Sequence, residues 1–129
     1  MSAARLRFRR SQRIRGQGSF RQVVHARGRY DAKVLSFHAL PNAGTTHRLG
    51  ISIGRKVGTA ARRNRIKRLL RESFRLSQAE HPSGAPGPYD FVVVVRPHEP
   101  LTLAEYRAHM LAAFAHLHAS WRKRSGEGA

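Results

Sequence analysis

The sequence predicts an α+β fold, a two-layer sandwich of helices over a small mixed sheet, in the order α-β-β-α-β-α. Three observations carry this. Stretches 33–40 and 47–53 alternate apolar and polar residues, and 89–95 is an apolar run of strand length. Stretches 66–74 and 103–121 repeat their apolar residues at helical spacing. The chain has 129 residues, 40% of them apolar, which suits one domain (1–129) with one modest core.

Residues 1–16 hold six arginines and no acid, and 1–12 read as a flexible basic arm. A short helix is expected over 19–26, with Ser19 and Gln22 as a capping box and Gly28 as its stop. Phe20, Val23 and Val24 form its apolar face. The strand at 33–40 puts Leu35, Phe37 and Ala39 on one side. Pro41-Asn42-Ala43-Gly44 is a turn. In the strand at 47–53, Leu49, Ile51 and Ile53 point inward, while Gly50, Ser52 and Gly54 leave the other face nearly bare. A bare face admits either a packed helix or a nucleic-acid strand. Three prolines and two glycines make 81–88 a loop. The strand at 89–95 ends at Pro97 and Pro100. Thr102 and Glu105 form a capping box for the last helix, whose apolar face runs Leu103, Tyr106, Met110, Phe114, Leu117 and Trp121. Residues 122–129 read as a flexible basic tail.

The centre of the chain is 55–75, where nine of twenty-one residues are basic and only Glu72 is acidic. Ile66, Leu69, Leu70, Ser73 and Phe74 share one helix face, and Asn64, Arg68, Arg71 and Arg75 share the opposite one, flanked by Arg65 and Lys67. Arg63, Lys67, Arg71 and Arg75 are like charges four apart, each pair mildly destabilising. Arg62, Arg63 and Arg65 crowd the positive end of the helix dipole. A polyanion relieves both penalties, and the free N–H groups of the first turn after Gly58 suit a phosphate.

Composition points the same way. Lys plus Arg number 25 against 7 Asp plus Glu, a formal charge of +18. The expected partner is a polyanion, with nucleic acid ahead of an anionic membrane. No apolar run approaches the ~18 residues of a membrane span. There is no signal-peptide core and no cysteine, so disulfides and thiolate metal sites are excluded, and a cytoplasmic location is natural.

Arg55-Lys56-Val57-Gly58-Thr59-Ala60, then Arg63-Asn64-Arg65-Ile66-Lys67-Arg68-Leu69-Leu70-Arg71-Glu72, resembles the signature of the bacterial ribonuclease P protein subunit. The resemblance extends from about Arg13 to Trp121. It implies a small basic cofactor to a catalytic RNA, in a complex that removes the 5′ leader of precursor tRNA. It implies that Arg55, Lys56, Arg63, Asn64, Arg65, Lys67, Arg68 and Arg71 contact that RNA. Phe20, Val24 and Phe37 match positions of the family's leader-binding cleft; Val24 stands where some relatives carry an aromatic. Aromatics beside arginines suit stacking of single-stranded RNA; the other reading is that both Phe side chains are core. The resemblance also implies a left-handed crossover between strands 47–53 and 89–95, where general handedness rules favour a right-handed one.

The chain is not expected to cut RNA unaided. Its carboxylates are Asp31, Glu72, Glu80, Asp90, Glu99, Glu105 and Glu127, and their spacing suggests no convergence on metal ions. His116 and His118 face different ways on a helix, and His109 and His116 share a face without a third partner. No catalytic and no metal-binding residue is therefore assigned. Magnesium is expected mainly on the RNA subunit and the substrate. The expected partners are the catalytic RNA and precursor tRNA, not a membrane or DNA. The competing reading is a structural, ribosomal-type RNA-binding protein; a DNA-compacting protein fits less well.

Overall fold

The structure, a computed structural model, describes residues 12–14, 16–26 and 28–125. Most of the basic arm, residues 1–11, and the end of the tail, 126–129, lie outside the described residues. The elements are α1 (Gln17–His25), β1 (Gly28–Ala32), β2 (Leu35–Pro41), β3 (Arg48–Ile53), α2 (Ala60–Leu76), β4 (Tyr89–Val95) and α3 (Leu103–Arg124). The sheet order is β1-β2-β4-β3; β1 and β2 are antiparallel, β2 and β4 antiparallel, and β3 and β4 parallel.

Strand alternation sorts the side chains onto two faces. Leu35, Phe37 and Ala39 of β2 join Tyr89, Phe91, Val93 and Val95 of β4 on one face. There they meet Ile66, Leu70 and Phe74 of α2 and Tyr106, Met110, Phe114 and Leu117 of α3. Sheet plus α2 and α3 is thus the main sandwich, and each large side chain buried in it contributes about 1.5–3 kcal/mol. The short α1 covers part of the other face, where Val23 packs on Val92 and Ile14, with Phe20, Val24, Leu40 and Val94 around them.

Strand β1 is one element more than the sequence predicted. Gly28-Arg-Tyr-Asp-Ala has no clean alternation, and the turn after it uses Lys33 and Val34 with no Gly or Asn to announce it. Lys33 takes the left-handed φ of 56° that such a tight hairpin needs. Gly28 opens β1 instead of stopping α1, because Trp121 of α3 lies over it. A Cβ there would sit 2.4 Å from the indole nitrogen. That nitrogen donates to the Ala39 carbonyl at 2.9 Å. Helix α1 begins earlier than predicted, behind Gly16, and makes no side-chain cap, so the Ser19 capping box is not used. Helix α3 runs further than predicted, taking Arg122, Lys123 and Arg124 into its last turn, where cations complement the helix dipole. Its Thr102–Glu105 capping box forms at both bonds.

Two polar clusters brace this frame. Asp90, 7% exposed, is held by Arg48 at 2.7 and 2.5 Å and by the Asn42 amide at 2.9 Å, tying the β2–β3 connection to β4. Below α2, the His81 ring donates from Nε2 to the Phe74 carbonyl in the last turn of that helix, at 3.1 Å. His47 packs edge-on against His81, accepts from the Tyr89 backbone N–H at Nδ1 (2.9 Å) and donates to the Pro82 carbonyl (2.6 Å). Tyr89 Oη lies 2.6 Å from His118 Nδ1. Burial pulls His81 down to about 4 from an ordinary 6.5, and lowers His47 as well.

Candidate nucleic-acid interface

The basic surface begins at a single 3-10 turn, Arg55–Val57, pinned by buried Val57, which leaves Arg55 and Lys56 exposed. Gly58 follows with φ 150°, and a Cβ there would press on the Arg62 side chain at 2.6 Å. Thr59 caps α2 by accepting from the Arg62 N–H at 3.2 Å. One of the first-turn N–H groups expected to face a phosphate is therefore already satisfied. Arg63 Nε donates to the Gly58 carbonyl at 3.2 Å, so this member of the basic motif clamps the turn that orients the helix.

Burial of Ile66, Leu70, Ser73 and Phe74 turns the basic side of α2 to solvent. Asn64, Arg65 and Arg68 are exposed, and Lys67 and Arg71 are half-buried. They line two hollows. One, of about 460 Å³, is bounded by Arg13, Asn64, Lys67, Arg68, Arg71 and Glu72. The other, of about 570 Å³, is bounded by Ala61, Arg62, Arg65, Arg68 and Pro100. Burial, with the nearby charge of Arg13, lowers the Arg71 pKa below the ordinary arginine value. Arg75 turns back to Glu72 (Nε–Oε1 3.0 Å).

An apolar groove of about 540 Å³ is lined by Gly16, Phe20, Arg21, Val24, His25, Ile51 and Ser52. Phe20 crosses Gly50 so closely that a Cβ there would sit 2.6 Å from its ring. The bare face of β3 is thus covered by a helix side chain at Gly50 and left open at Ser52. Phe20 and Val24 line this groove; Phe37 does not. It is 0% exposed on the opposite face of the sheet, among the α2 and α3 side chains. The correction follows from strand parity: Leu35, Phe37 and Ala39 share one face, so Phe37 cannot leave it without turning the other two out.

Sequence reasoning missed Arg13, Arg21, His25 and Ser52. Arg13 was visible only as one arginine in a basic run. The parallel bridge between Arg13 and Leu49, with Ile14 N–H bonded to the Leu49 carbonyl at 3.1 Å, brings it to α2. Arg21 and His25 become neighbours of β3 only once Phe20 docks on Gly50.

The sequence profile of the ribonuclease P family matches residues 8–118. The chain belongs to the ribonuclease P protein family. It is similar to the ribonuclease P protein component of Clostridium botulinum (strain Langeland), with 36% identity over 84 residues, 65% of this chain and 73% of that one. To the ribonuclease P protein component of Lactiplantibacillus plantarum it is 34% identical over 91 residues, covering 70% and 76%. The solved ribonuclease P protein from Thermotoga maritima superposes with a TM-score of 0.68 at 28% identity, covering 79% of this chain and 94% of that one. The Staphylococcus aureus protein, at 24% identity and a TM-score of 0.67, shares the fold. Membership makes the chain a subunit of an endoribonuclease holoenzyme, a ribonucleoprotein of tRNA processing.

The described carboxylates are committed elsewhere. Arginines hold Asp31, Glu72, Glu80, Asp90 and Glu99, and Glu105 closes the cap of α3. Among the described residues, no group of three or more His, Cys, Asp or Glu has metal-binding geometry. No described helix is long and apolar enough to cross a membrane.

Proposed function

We propose that this chain binds the catalytic RNA of ribonuclease P through α2 and its preceding turn, and the 5′ leader of precursor tRNA through the Phe20–Val24 groove. In this reading Arg55, Lys56, Asn64, Arg65, Lys67, Arg68 and Arg71 neutralise phosphates, and Arg63 holds the turn that aims them. Phe20, whose ring tip meets Gly50, offers the rest of its ring to an unstacked base. Arg21 and His25 stand at the groove rim, within reach of the leader backbone. The RNA supplies catalysis and, with the substrate, holds most of the magnesium. The protein contributes charge neutralisation and positioning. It works in the cytoplasm.

One observation carries this reading: the structure has both a cationic hollow that includes Arg13 and an aromatic groove that includes Gly16 and Phe20. Phosphate contacts position an RNA, and stacking platforms hold its unpaired bases. The test is reconstitution with the cognate catalytic RNA. Purified protein alone should leave precursor tRNA intact. Added to the RNA, it should lower the magnesium requirement for cleavage and favour substrate with a leader over mature tRNA. Cleavage by RNA-free protein, or indifference to the leader, would overturn the proposal.

A further inference from the structure

The basic motif reads in sequence as one stripe, but in the structure it is divided. Arg68 stands on a ridge of α2 with a hollow on either flank. We infer that the two hollows hold two separate phosphodiester segments of the RNA partner, with Arg68 shared between them and Arg13 completing the inner one. This rests on the RNA-binding function proposed above and divides that surface into two sites.

The inner hollow gathers Arg13, Lys67, Arg68 and Arg71 around one carboxylate, Glu72. That carboxylate is engaged on both oxygens by Arg75, outside the hollow. Partial burial of Lys67 and Arg71 reduces the screening of their charges by water. Arg13 is not on α2 at all. The backbone bridge to Leu49 delivers it, while Ile14 next to it is buried under α1 at 6% exposure. Arg13, set by the backbone where its charge acts on Arg71, is suited to an anion between them.

The outer hollow, about a quarter-turn round α2 from the inner one, has a different counter-charge. Glu99, from the loop before α3, reaches Arg62 at 3.2 Å, but its side chain is 82% exposed. Such a pair is weak in water, and a phosphate displaces it readily. Arg65 and Arg68 remain exposed on this flank. Different elements thus bound the two hollows, β3's neighbour on one side and the loop before α3 on the other, with Arg68 common to both.

The experiment measures affinity for the cognate catalytic RNA against potassium chloride concentration, at fixed magnesium. It compares wild type with Arg13→Gln, Arg65→Gln, their double variant and Arg68→Gln, with Arg122→Gln on α3 as a control for net charge alone. Melting curves check that each remains folded. Removing one cation from a phosphate lowers the magnitude of the log–log salt slope by ~0.7–0.9. Arg13→Gln and Arg65→Gln should each lower it by one such step and the double variant by two. Arg68→Gln removes one charge and should also lower it by one step, but at fixed salt it should cost more affinity than either single variant because it touches both segments; Arg122→Gln should lower the slope by none. An Arg13→Gln slope equal to that of Arg122→Gln, or an Arg68→Gln affinity loss no larger than that of Arg13→Gln or Arg65→Gln, would overturn the division into two sites while leaving RNA binding intact. A wild-type chain without salt-dependent binding would remove the RNA-binding function itself, and this inference with it.

Discussion

Acid should loosen the far end of the RNA-facing helix before it touches most of the chain's carboxylates. His81 is neutral in the fold and donates to the Phe74 carbonyl from a pocket shared with His47, Phe74 and Phe114. Its pKa is depressed to about 4, against 6.5 in an unfolded chain. A depressed histidine leaves stability fully present above the unfolded value. It is lost as pH falls from there through the folded value, because the unfolded chain takes up the proton first. At about 1.4 kcal/mol per pH unit, the interval is worth about 3 kcal/mol, and residual solvent access reduces this to roughly 2–3 kcal/mol. His47 adds in the same direction, since its Nδ1 must stay bare to accept the Tyr89 N–H. Asp31, held at about 2 by Arg96 first and then by Ser36 and Arg29, acts lower, as pH falls from 3.8. Urea denaturation from pH 7.5 to 4.5, at constant ionic strength and a fixed sulfate concentration, isolates the histidine window. The variant His81→Phe keeps an aromatic ring in the pocket. It should lose about 1 kcal/mol at pH 7.5 with the missing hydrogen bond, yet show a clearly shallower decline towards pH 4.5. A decline as steep as that of wild type would place the acid sensitivity elsewhere and refute the reasoning.

Phe37→Ala should cost about 3–5 kcal/mol of stability through the cavity it leaves, while protein kept folded by sulfate retains its preference for leader-bearing substrate; a lost preference would return Phe37 to the groove. Phe20→Leu should weaken leader-dependent binding by about 1–3 kcal/mol, the range for one base–aromatic stack, and leave affinity for the catalytic RNA unchanged, as titrations with and without a leader would show. Sulfate should raise the melting temperature of the free protein by binding the native state, because the +18 charge opposes compaction; a melt indifferent to sulfate would count against a charge-limited fold.

Much of the fold was legible because periodicity and burial agreed. Ile66, Leu70 and Phe74 lie inward at helical spacing, and Leu49 is buried with Ile51 and Ile53 packed against the same core. Thr102 and Glu105 marked the start of α3 by a local bond that needs no tertiary knowledge. Strand β1 escaped because its hairpin turn carries no Gly or Asn and part of what holds it, the indole of Trp121, lies far along the chain. The site was legible as charge and not as geometry. Sequence placed Lys67, Arg68 and Arg71 on the exposed side of a helix, but not the separation of their hollows or the arrival of Arg13, which depends on a backbone bridge to Leu49. Phe37 shows the limit most clearly. Alternation told which residues share its face, while which face meets α2 and α3 is decided by the packing of the whole sheet.

Trp121 is the chain's one tryptophan. It rests on Gly28, bonds the Ala39 carbonyl and has the Arg124 guanidinium 5.1 Å from its ring. Strands β1 and β2 lie at the end of the sheet away from β3, so the indole stands apart from both basic hollows and from the groove. The molecule therefore carries a built-in optical reporter. Its emission follows whether α3 is seated on the β1–β2 hairpin, and the indole lines neither basic hollow. Fluorescence can then follow folding in the presence of the partner, which separates a variant that binds poorly from one that has come apart.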